Sequence, residues 1–178
     1  MLRKGDVIFT IDPAEENISS LSKGYGGYSY YHCSLYIGDN QIIEAVAERG
    51  VILTHISKYN DKRNLIARTS LLAEILDNVI INAKKFIGAE YNSLFLPDAE
   101  GKYYCSQLIH EVFKRANYGK SFFDKHQLNY IEEGQQEISK YWLDLYSKYG
   151  LDVPQGKEGS HPNNLSLDKK FKKKFFLG

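Results

Sequence analysis

The chain has 178 residues, enough for one well-packed domain and short for two. A 43% hydrophobic and 13% aromatic composition excludes a disordered chain, and 23 Lys and Arg against 22 Asp and Glu leave a formal charge of +1, no field for nucleic acid. Two cysteines exclude a disulfide framework and make free thiols the default, while the longest apolar runs are far too short to span a bilayer.

In chain order, Gly5-Asp6 is a turn signal, and the β-branched and aromatic run to Ile11 predicts a first strand. Residues 12–31 are polar and end in KGYGGYSYY. No helical pattern with Lys-Ser/Thr follows these glycines, so the segment reads as a flexible loop rather than a phosphate loop. Three short strands are predicted over 31–37, 41–47 and 50–56, joined by Gly38-Asp39-Asn40 and Glu48-Arg49-Gly50, with 64–70 as a fourth element of the same sheet.

From Ser70 the period becomes helical. Leu71, Leu72, Ile75, Leu76, Val79, Ile80, Ala83, Phe86 and Ile87 form one stripe, with Ser70 as N-cap and Gly88 as stop. A loop over 89–102 leads to a helix opened by Cys105, whose buried face is Leu108, Ile109, Val112, Phe113 and Ala116. Another amphipathic stretch covers about 132–149, carrying Ile138, Trp142, Leu145 and Tyr149. The terminal KKFKKKFFLG reads as a solvated or lightly docked end rather than a membrane-binding one.

A cysteine at a helix start meets unpaired backbone N–H groups and the positive end of the helix dipole. Both favour the thiolate, and the same N–H groups can hold an oxyanion. Such a nucleophile needs a base, normally a histidine oriented by a third polar group. Of five histidines, His110 is on the cysteine's own helix and points away, while His55, His126 and His161 lie among turn or polar residues with no evident partner.

His32 lies within a strand, sharing one face with Ser34 and Tyr36. A three-residue loop over 38–40 pairs Ile37 with Gln41 and sets Glu44 on the same face as a diagonal neighbour, roughly 7–8 Å away between backbones. One residue fewer would send the two side chains to opposite faces. An acid inside the apolar run QIIEAVA is expensive unless paired, and His32 is its natural partner. Singly, each residue also has a structural reading: a strand histidine satisfied in the core, or a cysteine used for packing, as Cys33 is.

The order GDVIF, HCSLYIGDNQIIEA, GV, YNSLF and YYCSQLIHEVF resembles the permuted papain-like cysteine hydrolases of the NlpC/P60 superfamily, in particular their YiiX/YebB-like group. The tail WLDLYSKYGLDVPQGKEGSHPNNLS is similar to that group's as well, so the resemblance covers nearly the whole chain. It implies a single α+β domain over 1–178, with an antiparallel sheet packed against the helix that starts at the cysteine. It assigns the nucleophile to Cys105, the base to His32 and the third polar member to Glu44, with Tyr91, Tyr104 and Tyr31 lining the site. Two departures stand out: Asn92 where relatives often carry an acid, and Cys33 where a small aliphatic is commoner.

The implied function is hydrolysis of a small amide or peptide bond, such as that of a cell-wall peptide or an N-acyl amino acid, through a thioester acyl-enzyme. No metal or organic cofactor, nucleic acid or stable membrane insertion is expected. The alternatives are lipid acyl hydrolysis or transfer, as in the lecithin:retinol acyltransferase-like branch, and a non-catalytic module using a tyrosine-lined cleft. With Met1 native the expected compartment is cytoplasmic; behind a removed leader it is periplasmic or the cell envelope.

Overall fold

The computed structural model describes residues 1–12 and 21–177. Part of the predicted Gly/Tyr-rich loop, residues 13–20, lies outside the described residues, as does Gly178. Strands β1 (Val7–Ile11), β2 (Tyr30–Gly38), β3 (Gln41–Val46), β4 (Gly50–His55) and β5 (Asn64–Thr69) come first, close to where alternation and turn residues put them. Helix α1 (Ala73–Lys84), the short β6 (Glu90–Tyr91) and β7 (Lys102–Tyr103), and α2 (Cys105–Ala116) follow. The chain ends with β8 (His126–Gln127), α3 (Lys140–Ser147), β9 (Glu158–Gly159), α4 (Pro162–Leu167) and β10 (Phe171–Leu177).

Six strands form one antiparallel sheet in the order β10-β5-β1-β2-β3-β4. The fold is therefore α+β, as expected. Its main core lies between one face of the sheet, carrying Val7, Phe9, Cys33, Leu35, Ile43 and Ala45, and the inner sides of α1 and α2. All five predicted apolar residues of α2 are buried there. The other face carries a smaller cluster of Ile8, Tyr36, Ile42, Tyr59 and Ile66. A third cluster gathers Leu128, Tyr130, Trp142 and Tyr146 beneath the loops around α3. Asp6 is fully buried and receives two hydrogen bonds from Arg68, at 2.6 and 2.7 Å, which ties the start of β1 to β5. Among the described residues no helix is long and apolar enough to cross a membrane.

The β2–β3 connection differs from the predicted three-residue loop. Gly38 pairs with Gln41, leaving Asp39 and Asn40 as a two-residue turn with both φ angles positive, at 51° and 57°. Such a turn alone would reverse the faces of β3. The register shifts between Tyr36 and Gly38, however, and this bulge inserts the residue that restores parity, with φ of 100° at Gly38. Tyr36 consequently pairs with Ile42 and Leu35 with Ile43, and Glu44 keeps the face predicted for it.

Three further expectations are corrected. Helix α1 begins at Ala73 with Leu72 as N-cap, because Thr69 is still paired with Phe171 in the sheet and the chain stays extended past Ser70. Within the helix its buried stripe shrinks to Val79, Ile80 and Ala83, with Phe86 buried just past its end, while Leu72 and Ile75 are exposed. Within 132–149 only Lys140–Ser147 is helical, burying Trp142 and Tyr146.

The largest correction concerns the basic tail, which is neither solvated nor lightly docked: Phe171–Leu177 is the edge strand β10, paired along β5. Its lysines suit an edge, where charge discourages further strand pairing. Phe171 is 5% exposed and packs edge-on to Phe9 at 5.9 Å and against Phe123 at 5.0 Å. We therefore expect Phe171→Ala to lower the unfolding free energy by about 3 kcal/mol in urea titration. A loss below about 0.5 kcal/mol is what a solvated end gives.

Candidate active site

Helix α2 starts abruptly at Cys105. Its N-cap, Tyr104, is extended at φ −90° and ψ 169°, and the Tyr104 N–H donates to the Gln107 side chain at 3.2 Å. Glutamine at the third helical position thus satisfies a backbone donor, which fixes the turn and leaves Cys105 as the first helical residue. The cysteine is 6% exposed, more enclosed than a surface nucleophile but less than Cys33 at 1%.

His32 and Glu44 come from neighbouring strands, just beyond the Leu35–Ile43 pair, and their side chains meet: His32 Nε2 lies 2.7 Å from Glu44 Oε2. The carboxylate is fully buried, with two further donors. The Tyr59 hydroxyl donates to Oε2 at 2.5 Å, and Lys58 Nζ donates to Oε1 at 3.0 Å. Tyr59 also stacks on the imidazole, with ring centroids 5.8 Å apart and 20° between planes. Burial works against the Glu44 charge, but the bonds from His32, Tyr59 and Lys58 outweigh it and bring the carboxyl down to about 2. Burial also works against imidazolium, and hydrogen bonding to Cys105 and Glu44 outweighs it, raising His32 to about 9.

Glu44 occupies Nε2, so the interaction of Cys105 with the ring falls to Nδ1. The sulfur has a second neighbour in Cys33. Hydrogen bonding from the Cys33 thiol, joined by His32 and the Cys33 backbone, holds the Cys105 pKa well below the ordinary thiol range despite burial. Burial, with the Cys105 sulfur beside it, pushes the Cys33 thiol well above that range. The start of α2 and the neighbouring His32 ring favour the negative charge on Cys105 rather than on Cys33. Their environments separate two chemically identical groups. Both cysteines are free.

The three tyrosines are placed differently. Tyr31 is exposed with its ring 6.2 Å from that of His32, and Tyr91 is half-buried, with burial and then the Cys105 charge raising its pKa. Tyr104 is buried, and its hydroxyl accepts a hydrogen bond from the Ser160 N–H at 2.9 Å. Asn92 is a loop organiser: Oδ1 accepts from the Leu96 N–H, and Nδ2 donates to Leu96 O and to the Gln107 side chain. An aspartate could make only the first of these contacts.

Sequence reasoning missed Lys58 and Tyr59, which sit in a 3₁₀ turn with no periodic pattern, and read Cys33 as packing alone. His55 accepts from the Ser57 N–H within that turn, and His110 is half-buried on the outer side of α2. His161, set aside for want of a partner, lies close enough to Cys105 to feel its charge. A cleft of about 540 Å³ runs along the outer side of α2 past Tyr104, Gln107 and His110, but Cys105, His32 and Glu44 do not line it.

The crystal structure of the metalloprotein yiiX from Escherichia coli O157:H7 is similar over 99% of this chain and 96% of that one, at 19% identity and a TM-score of 0.72. The metal belongs to that protein; among the described residues here, no group of three or more His, Cys, Asp or Glu side chains could hold one. No curated protein matches the chain. The model of one family, described as permuted papain-like amidase enzymes of the YaeF/YiiX, C92 family, matches residues 1–173. With nearly its whole length so matched, the chain belongs to this family of permuted papain-like amidases and is a cysteine hydrolase of the amidase and peptidase type.

Proposed function

We propose that the protein hydrolyses a small amide or peptide bond through a thioester on Cys105, with His32 as acid–base and Glu44 as the group that orients and charges it. The observation that carries this reading is the imidazole bonded at Nε2 to a buried carboxylate 2.7 Å away, with the cysteine that opens α2 as its other neighbour. A thiolate–imidazolium pair in the resting state needs no proton transfer before attack. The Cys105 sulfur bonds to the carbonyl carbon, and the tetrahedral adduct expels the amine, which takes its proton from His32. The neutral imidazole then deprotonates the water that cleaves the thioester, releasing the acid and restoring the pair.

Tyr59 and Lys58 belong to the same machinery at one remove. Both bond to the carboxylate, and Tyr59 also fixes the plane of the ring. Neither is placed to exchange a proton with substrate through Glu44, whose pKa of about 2 keeps it ionised throughout the working range.

A screen of amide and ester substrates with mass-spectrometric capture of the acyl group on Cys105 tests the nucleophile directly. Cys105→Ala should abolish turnover and change the unfolding free energy by about 1 kcal/mol or less, the cost of a small buried truncation. Retained turnover, or acylation at Cys33 instead, overturns the assignment.

The pH profile tests the pair. His32 has a raised pKa, so its proton is present below about 9 and is lost above it. Amide hydrolysis should fall as the pH rises through that value, because the leaving amine loses its acid. Glu44→Gln removes one of the interactions that raise His32, so this alkaline limb should move to lower pH. The rate should fall less than in His32→Ala, since the amide still orients the ring. An alkaline limb that stays in place in Glu44→Gln rules out Glu44 as the charge-stabilising partner.

A further inference from the structure

Attack on a carbonyl puts negative charge on its oxygen, and that oxygen needs more than one donor. The backbone N–H at the start of α2 supplies one, by the position of Cys105 alone. Gln107 is a poor second, because it lines the cleft on the outer side of α2, which neither Cys105 nor His32 borders.

The better candidate comes from the far end of the chain. The Ser160 N–H donates to the Tyr104 hydroxyl at 2.9 Å, and the Ser160 hydroxyl bonds that of Ser106 at 2.9 Å. Tyr104 and Ser106 are the two residues flanking Cys105. Ser160 thus pins its segment across the helix start, and the next residue is His161. The His161 Nδ1 accepts the Asn163 N–H at 3.1 Å, capping α4. A neutral imidazole whose Nδ1 accepts must carry its hydrogen on Nε2. Although the residue is partly exposed, Nε2 itself is buried and has no hydrogen-bond partner among the described residues. Such a donor costs about 1–3 kcal/mol when left unmade.

We propose that the Nε2–H of His161 is the side-chain donor of the oxyanion site, bonding the substrate carbonyl oxygen as the Cys105 sulfur attacks. The inference rests on Cys105 being the nucleophile. As the S–C bond forms, the carbonyl π pair moves onto oxygen, facing this N–H. The pair returns as the C–N bond breaks and the amine leaves with the proton from His32. Burial lowers the His161 pKa to about 4, against the pull of Cys105, so the ring stays neutral and is no second base. Its donor is then available across the working range. The same side chain borders a cavity of about 150 Å³, with Ser22, Leu128 and Tyr130 on its other walls.

Two probes separate this role from thiolate activation. Iodoacetamide alkylates Cys105 by displacement and forms no oxyanion, whereas p-nitrophenyl acetate acylates it through one. His161→Asn keeps an acceptor for the α4 cap but cannot reach the Nε2 position. It should leave the alkylation rate within about 2-fold and lower the acylation rate about 100-fold. His161→Gln, whose amide nitrogen replaces Nε2, should recover acylation to within about 10-fold of the parent. Should His161→Asn fail to fold, His161→Gln against His161→Leu carries the same comparison. Equal acylation in the parent and His161→Asn, none in either included, overturns the proposal, as does alkylation that falls in step with acylation. Slow alkylation of the parent Cys105 removes the nucleophile itself, and the proposal with it.

Discussion

A carboxylate in a protein interior is tolerable only where its charge is met, and Glu44 has no exposed surface at all. Three donors from two places in the chain meet it: the His32 ring from β2, and the Tyr59 hydroxyl and Lys58 ammonium from one turn. Removing one partner of such a group is far more disruptive than the pair's net contribution suggests, since the other charge is left stranded. The arrangement therefore fixes the imidazole in position, plane and charge at once. The lowered pKa of Cys105 draws on it in turn, because after the bond from Cys33 it is the His32 charge that favours the thiolate, and Glu44 helps to hold that charge.

The fold brings these groups together by small departures from regularity. The β2–β3 turn and the adjacent bulge each reverse the side-chain parity of β3, so together they preserve it and keep Glu44 on the face of His32. Pairing of β2 with β3 stops at Leu35 and Ile43, while Cys33 stays paired with Phe9 of β1, so the two strands part beside the Cys105 sulfur. Helix α2 packs on the Cys33 side of the sheet, whereas Glu44 and Tyr59 approach from the other. Cys105 meets His32 only because both lie at this opened edge. The C-terminal segment closes the site from behind through Ser160, which holds both neighbours of the cysteine.

Much of this could be read directly from the sequence. Alternation marked β1 to β5, and the amphipathic stripe of α2 was correct at every apolar position. The acid in QIIEAVA pointed to His32 because an unpaired interior charge is so costly. The loop geometry behind that pairing was wrong in detail, since a bulge leaves no signature in residue type beyond Gly38, yet the parity survived. Lys58 and Tyr59 escaped because an irregular turn has no period to betray which way its side chains point. Local charge misled at β10, where consecutive lysines hid three aromatic residues that complete the sheet. Cys33 and His161 were invisible for another reason: their roles depend on where a distant cysteine lands, and only tertiary packing settles that.

Everything rests on His32 being a cation beside a thiolate, and nitrogen-15 NMR of its ring observes this directly. At neutral pH the account predicts an imidazolium with both nitrogens protonated, titrating near the value of about 9 that its partners impose. Alkylating Cys105 should remove one of those partners and bring the titration down toward the ordinary histidine range. A neutral ring at neutral pH, with Cys105 present as the thiol, would contradict the account.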